Sequence, residues 1–418
     1  LGPLSYLRGL ATGETRFYSQ AGTDLRASTY QHSRSFELLR GGGVGRPLEH
    51  LYVYGSAVLD EARAKDPNYT GKKWRGLAGD VDYAFARYRT PRFELLVGRF
   101  ASFWGLRRSL VLEGQNLDGL GYRFDWGKLT ISYRLARLDG TATTVGNGTE
   151  FENRYFAGHR FDFHFSPQVR VGLFETVVFG GAGRQISLYY LNPLIFFHGS
   201  QLNEGINDNT FVGFDFTVKP KRNMQLYGQL LVDDFQIDNR TQADQEPNEY
   251  AVRGGAFLVD LLPRLDFRVE YTRVTNRTFN QNLPRNRYLF KGAPLSDVRG
   301  NDYDELSFEF TRWFHSTLAL VADFSYWRQG EGRISDPWTQ PWLDIQGPYH
   351  EPFPTGVVQK TVTAAMGAKG FAGRHVFFDF SAGFESVRNL GHVNGLARTR
   401  PFVRAVVSTL FAVPVSFE

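Results

Sequence analysis

The chain has 418 residues, with 48 Lys+Arg against 43 Asp+Glu (net +5), no Cys, 44 Gly, and an aromatic set of 37 Phe, 20 Tyr and 7 Trp. A mean hydropathy of −0.33 and the lack of any long apolar run exclude a helical membrane protein, and regularly spaced apolar residues exclude disorder. Without Cys there is no disulfide framework, thiolate metal site or Cys nucleophile, and the weak, evenly spread positive charge gives no warrant for a nucleic-acid partner.

The start at Leu1, with no signal-like segment, points to a processed or truncated chain. Residues 1–48 form an N-terminal segment in which 14–30 and 34–40 supply two candidate strands, with a turn region at Gly41-Gly42-Gly43. From residue 49 to 418 a period of two takes over. In 265–273, Leu265, Phe267, Val269 and Tyr271 alternate with Asp266, Arg268, Glu270 and Thr272. In 303–312, Leu306, Phe308 and Phe310 alternate with Glu305, Ser307, Glu309 and Thr311. Successive strand side chains point to opposite faces, so each segment has one apolar and one charged face.

Strands are predicted over 49–59, 78–90, 91–101, 118–126, 127–138, 154–165, 168–178, 207–219, 222–235, 250–260, 264–278, 303–313, 316–328, 357–369, 373–388 and 400–417. The gaps between them alternate. Short turns at Thr90-Pro91, Trp126-Gly127, Ser166-Pro167, Pro220-Lys221 and Leu262-Pro263 interleave with long connections such as 60–77, 179–206, 279–302 and 329–356. A soluble antiparallel sandwich has no reason to keep every long loop at one end, and its strands average about five or six residues. A transmembrane antiparallel β-barrel, with long extracellular loops and short periplasmic turns, has both properties. Hydrocarbon offers no hydrogen-bond partners, so a sheet crosses it only when closed on itself. Eighteen strands are expected, sixteen if the N-terminal pair fails. Tyr122, Trp126, Trp313 and Trp327 suit interfacial girdles, and Phe417 suits the terminal strand.

A barrel this wide encloses a channel unless something fills it. Two segments are candidates: 102–117, which lacks clean alternation, and 179–206, with Leu188, Tyr189, Tyr190, Leu191, Asn192, Pro193, Leu194, Ile195, Phe196 and Phe197. The second is the preferred plug, though its apolar run also suits strand extensions above the membrane. The inward charges are Arg160, Asp162, Asp215, Asp266, Arg268, Glu270, Glu305, Glu309 and Asp323, with Asp379 and Glu385. They mark a polar path or, more plainly, cross-strand pairs that hold the lumen rigid.

Asp233 and Asp234 end a strand and point opposite ways, so they are no acid/base dyad; one of them is a candidate for sugar hydroxyls. Loop 329–356 carries Asp336, Trp338, Trp342, Asp344 and Tyr349, aromatic faces beside carboxylates that suit stacking on sugar rings. The plainer reading makes these aromatics the loop's own small core. There is no G-x-S-x-G or H-E-x-x-H, and His198 with Ser200 is not a catalytic couple by spacing alone, so neither catalysis, cofactor nor metal is expected.

Four segments together resemble the capsule-assembly Wzi family of outer-membrane proteins: VGRFASFWGLRRSLVL (97–112), YYLNPLIFFHGSQLNEGINDNTFVGFDF (189–216), MQLYGQLLVDDFQI (224–237) and YLFKGAPLSDVRGNDYDEL (288–306). The match is most specific at Asn192-Pro193, Asn207–Asn209, Tyr227-Gly228-Gln229 with Asp233-Asp234, and Pro294-Leu295 with Gly300, and it covers about 90–310. The resemblance implies an eighteen-stranded, occluded barrel and a surface lectin that holds capsular or exopolysaccharide. Residues 1–13 are too short for the N-terminal helical bundle of some members, and no family sugar-binding residue matches a position here. The expectation is therefore a non-catalytic protein integral to the outer membrane of a Gram-negative-type cell, contacting lipid or lipopolysaccharide and surface polysaccharide. The rivals are a diffusion porin and a structural subunit docked to other envelope proteins.

Overall fold

The computed structural model describes residues 10–28, 31–66, 69, 71–145, 148–236, 241–296 and 299–416. The alternating segments pair into one closed sheet of eighteen antiparallel strands. The first nine are β1 (Glu14–Ser28), β2 (Gln31–Leu48), β3 (Leu51–Asp60), β4 (Leu77–Arg89), β5 (Phe93–Trp104), β6 (Leu112–Asp125), β7 (Leu129–Arg137), β8 (Gly148–Ser166) and β9 (Val169–Gly181). The others are β10 (Asn209–Lys221), β11 (Met224–Asp234), β12 (Glu249–Leu262), β13 (Leu265–Val274), β14 (Tyr303–His315), β15 (Leu318–Gln329), β16 (Gln359–Ala372), β17 (Val376–Arg388) and β18 (Ala397–Ser416). Each pairs with its neighbours in sequence, and β1 pairs with β18 from Glu14↔Ser416 to Ser28↔Phe402, which closes the ring.

Register carries the period of two around the wall. Arg268 sits opposite Glu309 and Glu309 opposite Asp323, so the charged faces of β13, β14 and β15 coincide. Phe267, Phe310 and Ala322 coincide on the other face. That other face carries exposed Val97, Phe214, Phe324, Met366, Phe380 and Val407, an apolar exterior suited to lipid. No helix among the described residues is long and apolar enough to cross a membrane; the strands do the crossing. Short turns join the strands at one end, for instance at Gly127, whose φ of +79° closes the β6–β7 turn. The long loops gather at the other end, the extracellular one in such a barrel.

Two loops fill the bore. The β5–β6 loop, 105–111, turns inward: the Leu110 amide donates to Gln229 on β11 at 2.8 Å, and Arg108 reaches Glu305 on β14 at 2.7 Å. It can enter because Gly105, at φ +86°, lies where a Cβ would come within 2.7 Å of Asp215 and 2.8 Å of Gln229. The β13–β14 loop, 275–302, meets it from the far side, and the Tyr288 hydroxyl donates to the Val111 carbonyl at 2.9 Å. Arg154 on β8 clamps this second loop through the carbonyls of Arg285 and Arg287, both at 2.6 Å. Leu110, Val111, Phe279, Tyr288 and Leu295 then form one buried cluster with the inward Phe156, Phe174, Phe211 and Leu231 of the wall. The lumen is thus occluded by an apolar core inside a barrel.

Three expectations need correcting. Gly41-Gly42-Gly43 is no turn but the middle of β2; a side chain at Gly42 would strike the Gly55 carbonyl and the Tyr18 hydroxyl, which bonds Tyr54 across the gap. Trp313 and Trp327 do not join an outer girdle, because register puts them on the inward face with Thr311 and Asp323. Trp313 donates to Asp266 at 2.9 Å, and Arg299 lies over Trp327. Finally, 179–206 is not the plug. Tyr190 and Phe197 pack on Tyr133, Leu135, Tyr155, Ala157, Val177 and Phe179, which are outward residues of β7–β9, so the segment lies against the outside of the wall. Tyr189 and Pro193 are half-buried there, and Asn192 and Phe196 are exposed. Phe417 lies outside the described residues.

Candidate functional site

The inward charges are largely spent on one another. Arg160 makes a double hydrogen bond to Asp215 (2.5 and 2.9 Å) and another to Asp162 (2.6 and 2.9 Å). Glu270 lies between Arg253 (3.4 Å) and Arg108 (3.6 Å), Glu305 takes Arg108 and Arg299, and Arg268 is 3.9 Å from Glu309. Asp266 holds Trp313, and Asp323 faces Glu309 across the β14–β15 pair. This arrangement stiffens the wall and anchors the inward loops. Below the core, a vestibule of about 790 Å³ opens at the short-turn end, lined by Arg107, Arg170, Arg268, Lys128 and Lys219 with Glu270.

At the long-loop end the chemistry differs. Loops 275–302 and 330–358 enclose a pocket of about 300 Å³ with Asn276, Arg277 and Asn280 on one side and Glu331, Arg333, Asp336 and Trp338 on the other. Asp302 fixes the second loop on the first: its buried carboxylate accepts from the Gly332 amide (2.9 Å), the Thr355 amide (3.0 Å) and the Thr355 hydroxyl (2.5 Å). Asp336 is held at both ends. Its carboxylate accepts from the Arg333 amide (2.7 Å), and its carbonyl takes Arg287 (2.6 Å) and Asn280 (3.2 Å). Arg333 donates to the His392 ring (2.8 Å), which sets the Nδ1 proton toward the Val357 carbonyl (2.8 Å).

Arg277 lines the pocket from a buried position. It is ion-paired with Glu351, and its guanidinium lies 5.0 Å from the Trp342 ring and 5.9 Å from Trp338. Trp342 is buried against Tyr349, ring centroids 6.2 Å apart, so these two form the loop's small core. Burial and the neighbouring Glu351 raise the Tyr349 hydroxyl's pKa. On the adjacent loop, burial and then the Asp234 charge push Glu246 up to about 7, with Arg277 opposing.

Of the residues singled out in the sequence, the pocket brings together Asp336 and Trp338, with Trp342 and Tyr349 behind them. Asp344 is exposed on the same loop but lines no part of the pocket. Asp233 turns inward and accepts the Phe279 amide at 2.6 Å, an anchor for the inward loop, while Asp234 is exposed at the strand end. Sequence reasoning missed Asn276, Arg277, Asn280 and Arg333. The available signal was the Asn/Arg-rich run 276–287, too polar for the strand end and too dense for a plain linker. Trp338 offers an apolar face, and the amides, guanidiniums and carboxylates around it offer in-plane donors and acceptors, the combination that takes a polyhydroxylated ring.

Among solved structures the chain is similar to an Escherichia coli outer-membrane protein, Wzi, described as involved in group 1 capsule assembly and as a carbohydrate-binding β-barrel. The identity is 14% and the TM-score 0.62, over 96% of this chain and 84% of that one. It is also similar to the Pseudomonas aeruginosa outer-membrane protein OpdK (10% identity, TM-score 0.53, 96% of this chain and 100% of that one) and to OprD of the same organism (9%, 0.53, 97% of each). At such identities these likenesses speak to the fold alone. No curated protein sequence matches. Residues 122–400 match the family model described as capsule assembly protein Wzi. The protein is integral to the outer membrane, and the chain belongs to the Wzi capsule assembly family.

Proposed function

We propose that the protein binds surface polysaccharide, capsular or exopolysaccharide, in the extracellular pocket and holds it at the cell surface without any catalytic step. The observation that carries this reading is the pocket itself: Trp338 and Arg277 facing a set of amides and carboxylates, outside a bore filled by an apolar core. Membership of the family supports it, as does the description of the E. coli relative as carbohydrate-binding. Arg277 and Arg333 are balanced by Glu331 and Asp336 on the same walls, a lining of mixed donors and acceptors suited to sugar hydroxyls.

The test is surface plasmon resonance of the purified protein over immobilised acidic and neutral bacterial exopolysaccharides. Binding to at least one of these polymers is expected, weakened about tenfold or more by Trp338→Ala, which corresponds to about 1.4 kcal/mol. Failure to retain any polymer, or retention indifferent to Trp338→Ala, would overturn the assignment. A second reading, a solute channel, is favoured by the cation-lined vestibule. Steady conductance steps from the intact protein in planar bilayers would make it the better one; silence is expected.

A further inference from the structure

Register fixes His159 and Glu175 on the outward face: His159 sits opposite Tyr133 and Glu175, and Glu175 opposite Val212. From Phe165, at the short-turn end, the strand rises to His159 at about 3.3 Å per residue and a tilt of about 40°, or about 15 Å. The apolar band of such a barrel is about 25 Å tall, so this polar rung lies within it. A carboxylate and an imidazole there would face acyl chains, yet both are buried.

What buries them is segment 182–208. The amides of Phe197 and His198, at the start of the helix Phe197–Glu204, donate to the two Glu175 oxygens at 2.8 and 2.7 Å. His159 Nε2 is 3.3 Å from the same carboxylate, and the Phe197 ring lies 4.6 Å from the His159 ring. The His198 ring pairs with outward Thr210 at 2.9 Å. Tyr133 donates to the Tyr190 carbonyl at 2.5 Å. At the root of the segment, Asp208 takes Arg184 (2.5 and 2.7 Å) and the Tyr190 hydroxyl (2.6 Å). The segment is therefore a lobe bonded to the outer wall over β7–β10. Several of its exposed residues are large and apolar, Leu188 at 82%, Leu194 at 74% and Phe196 at 57%, while Gln185, Asn203 and Glu204 give it a polar portion as well.

We propose that this lobe is sunk in the outer leaflet and that Leu188, Leu194 and Phe196 are packed by lipid acyl chains, in place of the strand faces beneath. Continuity favours lipid as the occupant. Outward Leu173, Val212 and Phe214 are exposed on β9 and β10, the strands that carry the lobe, so its apolar residues extend a belt suited to lipid. The wall keeps the Glu175 carboxylate at this depth because two amides of the lobe satisfy it.

The absence of Cys permits a direct test. Leu194→Cys and Leu188→Cys are each labelled with an environment-sensitive fluorophore, with Asp344→Cys on the exposed loop as control. All are reconstituted in phosphatidylcholine vesicles with and without doxyl-labelled phospholipid, and folding is checked by heat-modifiable gel migration. Blue-shifted emission at 188 and 194, quenched severalfold by acyl-chain doxyl and unlike the control, is the expected result. Emission matching the control would overturn the proposal. So would blue-shifted emission that doxyl lipid does not quench, and thiol cross-linking through residue 194 would then identify a second copy as the occupant.

Discussion

The inward loops and the outer lobe are both largely irregular chain that buries large apolar side chains, Leu110, Phe279 and Tyr288 in the one and Tyr190 and Phe197 in the other, yet they lie on opposite sides of one wall. Loop 105–111 enters because Gln229, Glu270 and Glu305 wait on the inward face for its Leu110 amide and its Arg108 guanidinium. Segment 182–208 stays outside because Glu175 and Thr210 wait on the outward face for its Phe197 amide and its His198 ring. Apolar content decides that a loop must be buried; a few polar residues on the strands decide where.

The strongest way to break this pairing is at Gly105. Gly105→Val places a β-branched side chain at positive φ against Asp215 and Gln229, a change expected to cost about 3 kcal/mol or more through strain and overpacking. The urea midpoint in detergent should fall, and conducting steps should appear where the parent is silent. A silent variant of unchanged stability would mean that the seat of the inward loop does not close the bore. On the outer side, Glu175→Gln leaves one of the two lobe amides and His159 poorly satisfied, a loss of about 1–3 kcal/mol. Trypsin should then cut at Arg184 with the bilayer still silent; conductance from this variant would show that lobe and bore are not independent.

Smaller effects sharpen the distinction between the inward loop as a plug and as a platform. Asp302→Ala frees the Gly332 and Thr355 donors and should loosen 330–358 by about 1–2 kcal/mol. Glycan affinity should drop about tenfold without opening the bore; unchanged affinity would separate the pocket from its Asp302 anchor. The smallest effect concerns pH. Glu246 has a folded pKa raised to about 7 from an ordinary 4.5, so the folded form holds the extra proton between these values. Its contribution is full below about pH 4.5 and is lost as pH rises to about 7. Amide exchange in 241–248 should therefore be faster at pH 8 than at pH 5 after correction for the intrinsic rate, and Glu246→Gln should reduce that difference.

The strands were legible because their signal is local. Alternation in 265–273 or 303–312 needs no knowledge of the partner strand, and each inward charge could be read from its own neighbours. The same rule, applied strictly, turns Trp313 and Trp327 inward, whereas their aromatic character suggested a girdle. Gly41–Gly43 hid the middle of a strand because glycines carry no alternation; at Gly42 the reason for the missing side chain comes from both neighbours, the Gly55 carbonyl of β3 and Tyr18 of β1. The destination of loops was not legible for the opposite reason. Glu175 acts on Phe197 and Asp302 on Thr355 across stretches of chain that no periodicity connects. The pocket was half read: Trp338 and Asp336 stood out, but Arg277 and Asn280 gain their role only when the inward loop carries them under the other.

The ring closes where β1 meets β18, with Asp24 accepting from Arg404 at 3.0 Å and Gln20 donating to Ser408 at 2.9 Å. The first-made strand thus finds its second partner only when the last-made strand arrives. Until then two unpaired edges confront the membrane, each with a row of unsatisfied amides and carbonyls. Closure of this wall therefore takes place at one seam, and a helper that shelters nascent edges would have to hold β1 until β18 is delivered.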